Sequence, residues 1–196
     1  MRTETRTYTL YRITELSEEA KEKAHTEWLR NQYFYGWTHE NHQTLDTFCE
    51  RFGIVCRNWR YNACNYSYDY RSRQEDYIDS LSGWRLATYL MNNHWSDLYT
   101  PKYFWKGMKG RKSRIFVDTC CPLTGYYIDN DILDPIYQFL KSPTGNVTFD
   151  ALMNKSLDSF FRACRDDMES TQTLEYFTEE SNANGWEYLS DGKLFN

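Results

Sequence analysis

The sequence lacks the features that mark membrane-spanning and secreted proteins. No apolar run approaches the roughly 20 residues that a helix needs to cross the hydrocarbon core of a bilayer. The opening residues, MRTETRTYTLYR, contain no apolar segment of the kind found in secretory signal peptides. Six cysteines are present, but none forms a C-x-x-C pair, and Cys120 is adjacent to Cys121, so the spacing is poor for a disulfide framework. We therefore expect a cytoplasmic protein with reduced thiols and no membrane contact.

The chain also lacks the short motifs that identify many nucleotide-binding proteins and hydrolases. It contains no G-x-x-x-x-G-K-[ST], no G-x-G-x-x-G and no G-x-S-x-G. His39, His42 and Cys49 come nearest to a zinc site, but H-x-x-H-x6-C matches no standard ligand spacing and no fourth ligand is evident. No local signature pairs a histidine with a nucleophilic thiol. The sequence therefore indicates no metal, no cofactor and no enzymatic activity.

Proline and glycine are few, at 4 and 9 of 196 residues, and no linker rich in them interrupts the chain. With no internal repeat either, we expect one domain spanning residues 1–196. Aromatic residues are abundant instead, since 17 Tyr, 11 Phe and 7 Trp make up 18% of the chain. Tyrosine suits both the rim of a small core and a binding surface, because its ring buries apolar area while its hydroxyl keeps a polar contact. The composition fits both interpretations.

Periodicity predicts a mixed fold. A helix begins after Ser17, a predicted N-cap, with Glu19 and Lys23 spaced for an (i, i+4) ion pair. Further predicted helices cover residues 38–52 (ended by Gly53), 81–93, 135–140 (with Pro135 in the first turn and Asp134 as its cap) and 149–168. Predicted strands cover residues 5–13, 54–61, 66–71 and 114–118, and Asp191-Gly192 predicts a closing hairpin. Because strands and helices mix without a regular βαβ order, we expect an α+β fold, with an antiparallel sheet packed against several helices.

The segment KYFWKGMKGRKSR is basic in a chain whose net charge is −5. It spans residues 102–114 and contains no acid. Such a segment with flanking rings can hold a phosphate backbone and stack bases. The alternative, which we favour, is a solvated loop before a strand, or a loop that pairs with the acidic tail of the same chain, because nucleic-acid modules are usually basic overall. The candidate nucleic-acid-binding residues are Lys102, Trp105, Lys106, Lys109, Arg111, Lys112 and Arg114.

Residues 166–192 have the opposite character, with eight acids and no Lys or Arg. This segment fits a solvated helix face, which is the commonest case, or a surface that presents carboxylates to a basic partner. The second interpretation would mimic a phosphate backbone and increase the association rate by steering. The candidate partner-binding residues are Asp166, Asp167, Glu169, Glu175, Glu179 and Glu180.

The segment YYIDNDILDP offers Asp129, Asp131 and Asp134. A D-x-D pair is able to bind Mg²⁺ in phosphoryl chemistry, although it is a weak signal alone. A metal-dependent nuclease using Asp129, Asp131 and a histidine is therefore kept as an alternative.

Two terminal segments resemble a group of small accessory proteins encoded by phages and prophages. These are YTLYRITELSEEAKEKAHTEW (residues 8–28) and TLEYFTEESNANGWEYLSDGKLF (residues 173–195). Proteins of this group open with a strand, a Glu-Leu-Ser-Glu-Glu-Ala-Lys-like turn and a helix, and end with an acidic segment and an Asp-Gly hairpin. The middle of the chain resembles no group. The resemblance implies an origin in a mobile element, where inhibitors of bacterial defence, including anti-CRISPR proteins, are common.

The leading hypothesis is a non-enzymatic inhibitor that acts in the cytoplasm of a bacterial host. It would bind a host-defence protein or a Cas effector complex stoichiometrically, with its acidic, aromatic-rich surface acting as a DNA mimic. The first alternative is an accessory protein that binds nucleic acid through residues 102–114. The second is the metal-dependent nuclease.

Overall fold

The computed structural model describes residues 2–31, 38–103 and 115–195. Within them, helices alternate irregularly with two pairs of antiparallel strands, β1 with β2 and β3 with β4. The predicted α+β class is therefore confirmed. None of the helices in these ranges combines the length and the apolar character needed to cross a membrane.

The bounds of most elements agree with the periodicity. The helices of the described chain are α1 (Glu18–Asn31), α2 (Thr38–Phe52), α3 (Asp76–Asp79), α4 (Gly83–Asn93), α5 (Trp95–Leu98), α6 (Ile128–Lys141), α7 (Phe149–Ser170) and α8 (Leu174–Ala183). The strands are β1 (Ile54–Tyr61), β2 (Tyr66–Ser72), β3 (Thr100–Tyr103) and β4 (Ile115–Asp118). A 3-10 turn, Ile13–Glu15, precedes α1.

The described chain divides into two compact units. Unit 1 joins residues 2–31 to residues 167–195, so it contains both ends of the described chain. Unit 2 contains residues 38–103 and 115–166. The expectation of a single domain stays a prediction.

Unit 1 has a small core, formed by Ile13, Leu16, Ala20, Ala24, Phe177 and Tyr188. The predicted N-cap is confirmed, because the Ser17 hydroxyl accepts a hydrogen bond from the Ala20 amide at 3.3 Å. The predicted pairing of Lys23 with Glu19 is wrong. Lys23 donates instead to Asp191 at 2.9 Å.

The predicted strand over residues 5–13 is also wrong. Within it only Tyr11 pairs, forming one antiparallel bridge in which Tyr11 and Tyr188 exchange backbone hydrogen bonds of 2.9 Å. Tyr188 also bridges to Leu194, across the turn at Asp191-Gly192. A strand needs a partner along its length. Here the segment around Tyr188 turns back to bridge with Leu194, so the other residues of the predicted strand have no partner in this segment.

Unit 2 has the larger core, built from the apolar faces of α2, α4, α6 and α7. Gly53 adopts a φ of +62° directly after α2, which is the left-handed conformation that ends many helices. In α7, the apolar residues at three- and four-residue steps are buried as predicted, and Phe160 and Phe161 are 1% and 0% exposed. Burying both rings is possible because α7 has neighbours on more than one side.

The predicted short helix beginning at Pro135 is replaced by a longer one. Helix α6 starts at Ile128 and contains Pro135 in its interior. Asp134 therefore does not cap the helix, and its carboxylate accepts a hydrogen bond from Gln138 at 2.9 Å. The buried apolar residues on both sides of Pro135, including Ile132 and Ile136, outweigh the lost backbone hydrogen bond.

A row of three tyrosines attaches β2 to α7. Alternate residues of a strand lie about 6.8 Å apart, and every fourth residue of a helix lies about 6.0 Å apart, so the two rows match over three steps. The hydroxyls donate to side chains of α7 that are four residues apart: Tyr66 to Asp158 at 2.7 Å, Tyr68 to Asn154 at 3.0 Å and Tyr70 to Asp150 at 2.9 Å. The two rows run in opposite directions. This tyrosine row fixes which face of the hairpin turns towards the helix.

Candidate functional site

Unit 1 contains a cavity of about 510 Å³ lined mainly by rings. Phe177, which is 1% exposed, lies among the other rings, with centroid distances of 5.1 Å to Trp28, 6.4 Å to Trp186 and 6.5 Å to Tyr188. Leu194 adds an aliphatic wall. Trp28 and Trp186 are only half-buried, so part of each side chain is open to solvent. We call this cavity the aromatic pocket.

Charges of both signs line the aromatic pocket. Glu27 and Lys193 are exposed and contribute to its wall. A cavity with large apolar rings and a few charges at its edge suits an anchor side chain that is apolar along its length and polar at its end. Arginine, lysine and tyrosine have that character.

Helix α8 presents carboxylates on the side away from the core of unit 1. At 100° per residue, Glu175 and Glu179 lie opposite Phe177 and Ser181, and both glutamates are exposed whereas Phe177 and Ser181 are buried. Glu180 lies at the border, half-buried, and accepts a hydrogen bond from Asn184 at 3.2 Å. Two of the three predicted partner-binding acids on α8 are therefore open to solvent.

The remaining predicted acids lie at the end of α7. Asp167 and Glu169 are exposed and belong to unit 1. Asp166 is exposed in unit 2 and forms an ion pair with its neighbour Arg165 at 2.5 Å. We use the name acidic surface for four exposed acids at the end of α7 and on α8, which are Asp167, Glu169, Glu175 and Glu179.

At least three of the eight acids of residues 166–192 form ion pairs. Besides Asp166, Glu187 pairs with Arg12 at 3.6 Å and Asp191 pairs with Lys23 at 2.9 Å. The hydrogen bond from Lys23 lowers the pKa of the Asp191 carboxyl. The bases that pair with Glu187 and Asp191 come from the N-terminal part of the chain, so the local count of acids could not reveal them.

Most of the predicted nucleic-acid-binding residues lie outside the described residues. These are Trp105, Lys106, Lys109, Arg111, Lys112 and Arg114. Lys102 lies in β3, whose backbone pairs Lys102 with Phe116 of β4. The segment therefore leads into a strand at Ile115, as expected.

The Asp129 carboxylate is buried and fully engaged in hydrogen bonds within the fold. It is 0% exposed, and one carboxylate oxygen accepts the backbone N–H groups of Leu123, Thr124 and Gly125 at 3.0, 2.7 and 3.1 Å. The other oxygen accepts the hydroxyls of Thr44 and Thr124 at 2.9 and 2.7 Å. These five hydrogen bonds hold the loop before α6 against α2. A cation or substrate could reach this carboxylate only by displacing them.

Two of the three candidate zinc ligands, His42 and Cys49, have apolar neighbours. The His42 ring packs edge-on against Trp59 at 4.5 Å. Burial raises the pKa of the Cys49 thiol to about 11, so it is protonated near neutral pH. Within residues 2–31, 38–103 and 115–195, no group of three or more His, Cys, Asp or Glu side chains is placed to hold a metal ion.

Sequence reasoning missed the aromatic pocket. Its rings come from α1, α8 and the C-terminal turn, and more than a hundred residues separate α1 from the other two. The available signals were the high Tyr and Trp content and the position of Trp28 on the apolar face of α1. Neither signal could place Trp28 next to Trp186.

Comparison with protein-family models, with curated proteins and with solved structures finds no match to the chain.

Proposed function

We propose that the protein is an inhibitor, encoded by a phage or another mobile element, that binds a component of a bacterial defence system through unit 1. The proposed target is a CRISPR–Cas effector, and the mode of action is stoichiometric binding. The observation that carries the proposal is that one unit combines the aromatic pocket with the exposed carboxylates of the acidic surface.

The two features have complementary roles in binding. Exposed carboxylates attract a surface rich in Lys and Arg, such as a channel that holds nucleic acid, and so increase the association rate. They add little to the lifetime of the complex, because exposed charges are screened by salt. Rings in a concave site exclude water around an anchor residue and slow dissociation. Together they fit a nucleic-acid-binding protein as the partner.

The location of the two terminal segments also supports the proposal. Residues 8–28 and 173–195, which resemble the phage-encoded group, fold together in unit 1. Most residues of the aromatic pocket and two of the four residues of the acidic surface lie on these segments. The proposed binding surface therefore belongs to the part of the chain that carries the resemblance.

The test begins with a pull-down from a bacterial host that carries CRISPR–Cas, followed by binding kinetics on the purified effector. Glu175→Lys with Glu179→Lys should lower the association rate roughly tenfold at low salt and much less at high salt. Trp28→Ala should act on the dissociation rate, by roughly thirtyfold if the ring is a hot spot.

Matched controls carry the same chemical changes elsewhere. Glu19→Lys with Glu22→Lys changes two exposed acids of α1, and Trp84→Ala removes a ring that is 75% exposed in unit 2. Melting temperatures show whether each variant is folded. Recovery of no defence component, or equal effects of test and control variants, contradicts the proposal.

A further inference from the structure

We infer that unit 2 carries a second binding surface, on the outer face of the β1–β2 hairpin, which takes the phosphodiester backbone of nucleic acid. The surface consists of Arg57, Arg60, Arg71 and Arg73, and we call it the arginine face. It lies apart in sequence from the basic segment 102–114. The arginine face belongs to unit 2, whereas the aromatic pocket belongs to unit 1, so the inference does not depend on the function proposed above.

The strand register places one arginine at each of four successive steps along the hairpin. The cross-strand pairs are Val55 with Arg71, Arg57 with Asp69 and Arg60 with Ser67. Beyond them the Arg73 amide donates to the Gly53 carbonyl at 2.9 Å, continuing the pairing by one step. Steps of two residues along β2 are about 6.8 Å apart. The arginines therefore recur at successive steps of the hairpin, with Arg73 and Arg71 on the β2 side and Arg57 and Arg60 on the β1 side.

A β-bulge brings Arg57 and Arg60 to the same face. They lie three positions apart, and in a regular strand residues three apart point to opposite sides. The register shifts between Arg57 and Arg60, and Asn58 adopts a φ of +50°. As a result Arg57 and Arg60 are both exposed, whereas Trp59 and Tyr61 are half-buried on the inner side.

The inner side of the hairpin is already occupied, so the arginine face is held outward. The tyrosine row binds to α7 from β2, and the Trp59 and Tyr61 rings of β1 lie 6.0 and 6.5 Å from the Phe161 ring. The four arginines are all exposed. Such a face presents its cations in a fixed order on a rigid support, which lowers the entropy lost on binding.

The charges of this face are largely uncompensated. Among the residues that the structure describes, none of the four arginines has a carboxylate within ion-pair distance. Arg60 donates to the Ser67 hydroxyl at 3.1 Å, and the carboxylate of Asp69 accepts a hydrogen bond from Asn58 at 2.6 Å. Four guanidinium groups and one carboxylate leave an excess of positive charge on this face.

A groove of about 460 Å³ follows the same face. Arg57, Arg71, Arg73 and Asp69 contribute to its wall. Guanidinium groups bind phosphate oxygens through two parallel hydrogen bonds, which makes arginine well suited to phosphate recognition. A row of arginines at successive steps matches a linear polymer with one charge per repeat more closely than a folded acidic protein, whose carboxylates have no fixed period. We therefore choose nucleic acid as the ligand.

The test measures binding of the full chain to a short labelled single-stranded DNA and to its duplex by fluorescence anisotropy. The test variant is Arg57→Gln with Arg71→Gln, and the matched control is Arg30→Gln with Arg85→Gln, which removes two exposed arginines elsewhere. At about 50 mM salt we expect affinity to fall roughly tenfold for each contacting arginine removed. The slope of log K against log salt should decrease by about 0.7 per contact for the single strand and about 0.9 for the duplex. The form that binds more tightly, single strand or duplex, shows which kind of nucleic acid the arginine face prefers.

Three further measurements complete the test. Melting temperatures should be unchanged, because the substituted side chains are exposed, and Arg57→Lys with Arg71→Lys should restore part of the affinity by restoring the charge. A poly-glutamate peptide that binds the arginine face more tightly than either DNA overturns the inference in favour of an acidic protein. So does absence of DNA binding by the wild type, an equal loss in the control, or binding that survives in the test variant and is lost on neutralising Lys106, Lys109, Arg111 and Lys112.

Discussion

Unit 2 and unit 1 use aromatic side chains differently. In unit 2, Phe48, Phe149, Phe160 and Phe161 fill the interior, each no more than 1% exposed. In unit 1, Trp28 and Trp186 remain half-buried around a cavity, and the core they adjoin has only six buried apolar members. These two tryptophans of unit 1 therefore border a cavity, whereas these four phenylalanines of unit 2 are enclosed in its core.

The smaller core of unit 1 is supplemented by close backbone packing and polar contacts. A side-chain carbon added at Gly192 would lie 2.1 Å from the Ala20 carbonyl oxygen, so the turn lies directly against α1. Buried hydroxyls of Ser181 and Tyr188 are 2.8 Å apart, and Lys23 reaches Asp191 across the same turn. Buried apolar area stabilises unit 2 more strongly. We expect the stability of unit 1 to depend more on the close packing of the turn at Gly192 against α1. Three predictions test this difference.

The largest effect is expected for Phe161→Ala in unit 2. The ring is 0% exposed and contacts Phe160 and Tyr68 at centroid distances of 5.0 and 4.9 Å, so its removal leaves a cavity in a packed core. The free energy of unfolding, measured in urea, should fall by about 3–5 kcal/mol. Tyr77→Ala, at a ring that is 63% exposed, should change it by less than about 0.5 kcal/mol. Equal, small changes in both variants would mean that α7 packs differently.

An intermediate effect is expected for Gly192→Ala in unit 1. Gly192 has a φ of +84°, which costs an alanine about 1–2 kcal/mol, and the added carbon also meets the Ala20 carbonyl. We expect a total loss of about 2–3 kcal/mol, measured by denaturant unfolding.

Gly125→Ala isolates the conformational part of this loss. Gly125 has a φ of +89° but nothing within 4 Å of an added carbon. It should therefore lose only the conformational cost of about 1–2 kcal/mol. If Gly192→Ala destabilises no more than Gly125→Ala, close packing of the turn against α1 does not limit the stability of unit 1.

The sequence predicted elements whose determinants are local and failed where the determinants are distant. Helix α2 was predicted with its observed bounds because its periodicity and Gly53 lie in one continuous segment. The strand at residues 5–13 was predicted wrongly because its existence depends on a partner near residue 188. Pro135 suggested a helix start, but the apolar residues around it extend α6 past the proline.

The candidate sites show the same limitation. Exposure of Glu175 and Glu179 follows from helical spacing, so the sequence was sufficient to select them. The aromatic pocket depends on contacts between the two ends of the chain. The arginine face depends on strand pairing and on a bulge at Asn58. Its four members are spread over residues 57–73, so a count of charges along the sequence does not group them. The missing information was therefore long-range contact for the aromatic pocket, and strand register with its bulge for the arginine face.

The smallest effect is expected for Tyr68→Phe, which removes one hydrogen bond from the tyrosine row of unit 2. The hydroxyl of Tyr68 donates to Asn154 at 3.0 Å, and loss of this bond should cost about 1 kcal/mol near neutral pH. Exposed Tyr8, changed to Phe, is the control and should have almost no effect.

The pH dependence of the Tyr68→Phe difference reports on burial of this hydroxyl. Burial raises the pKa of Tyr68 from 10.0 to about 12, because the phenolate would be poorly solvated. The neutral form is thus favoured by the folded state, and its contribution is fully present below pH 10, where the unfolded chain is also neutral. Above pH 10 the unfolded chain releases this proton first, so the wild type should lose its advantage over Tyr68→Phe progressively up to about pH 12. Unfolding curves of both proteins across this range give the difference directly. A difference that stays constant from pH 8 to pH 12 would show that the Tyr68 hydroxyl titrates alike in both states and that the hairpin is less tightly held against α7 than the tyrosine row requires.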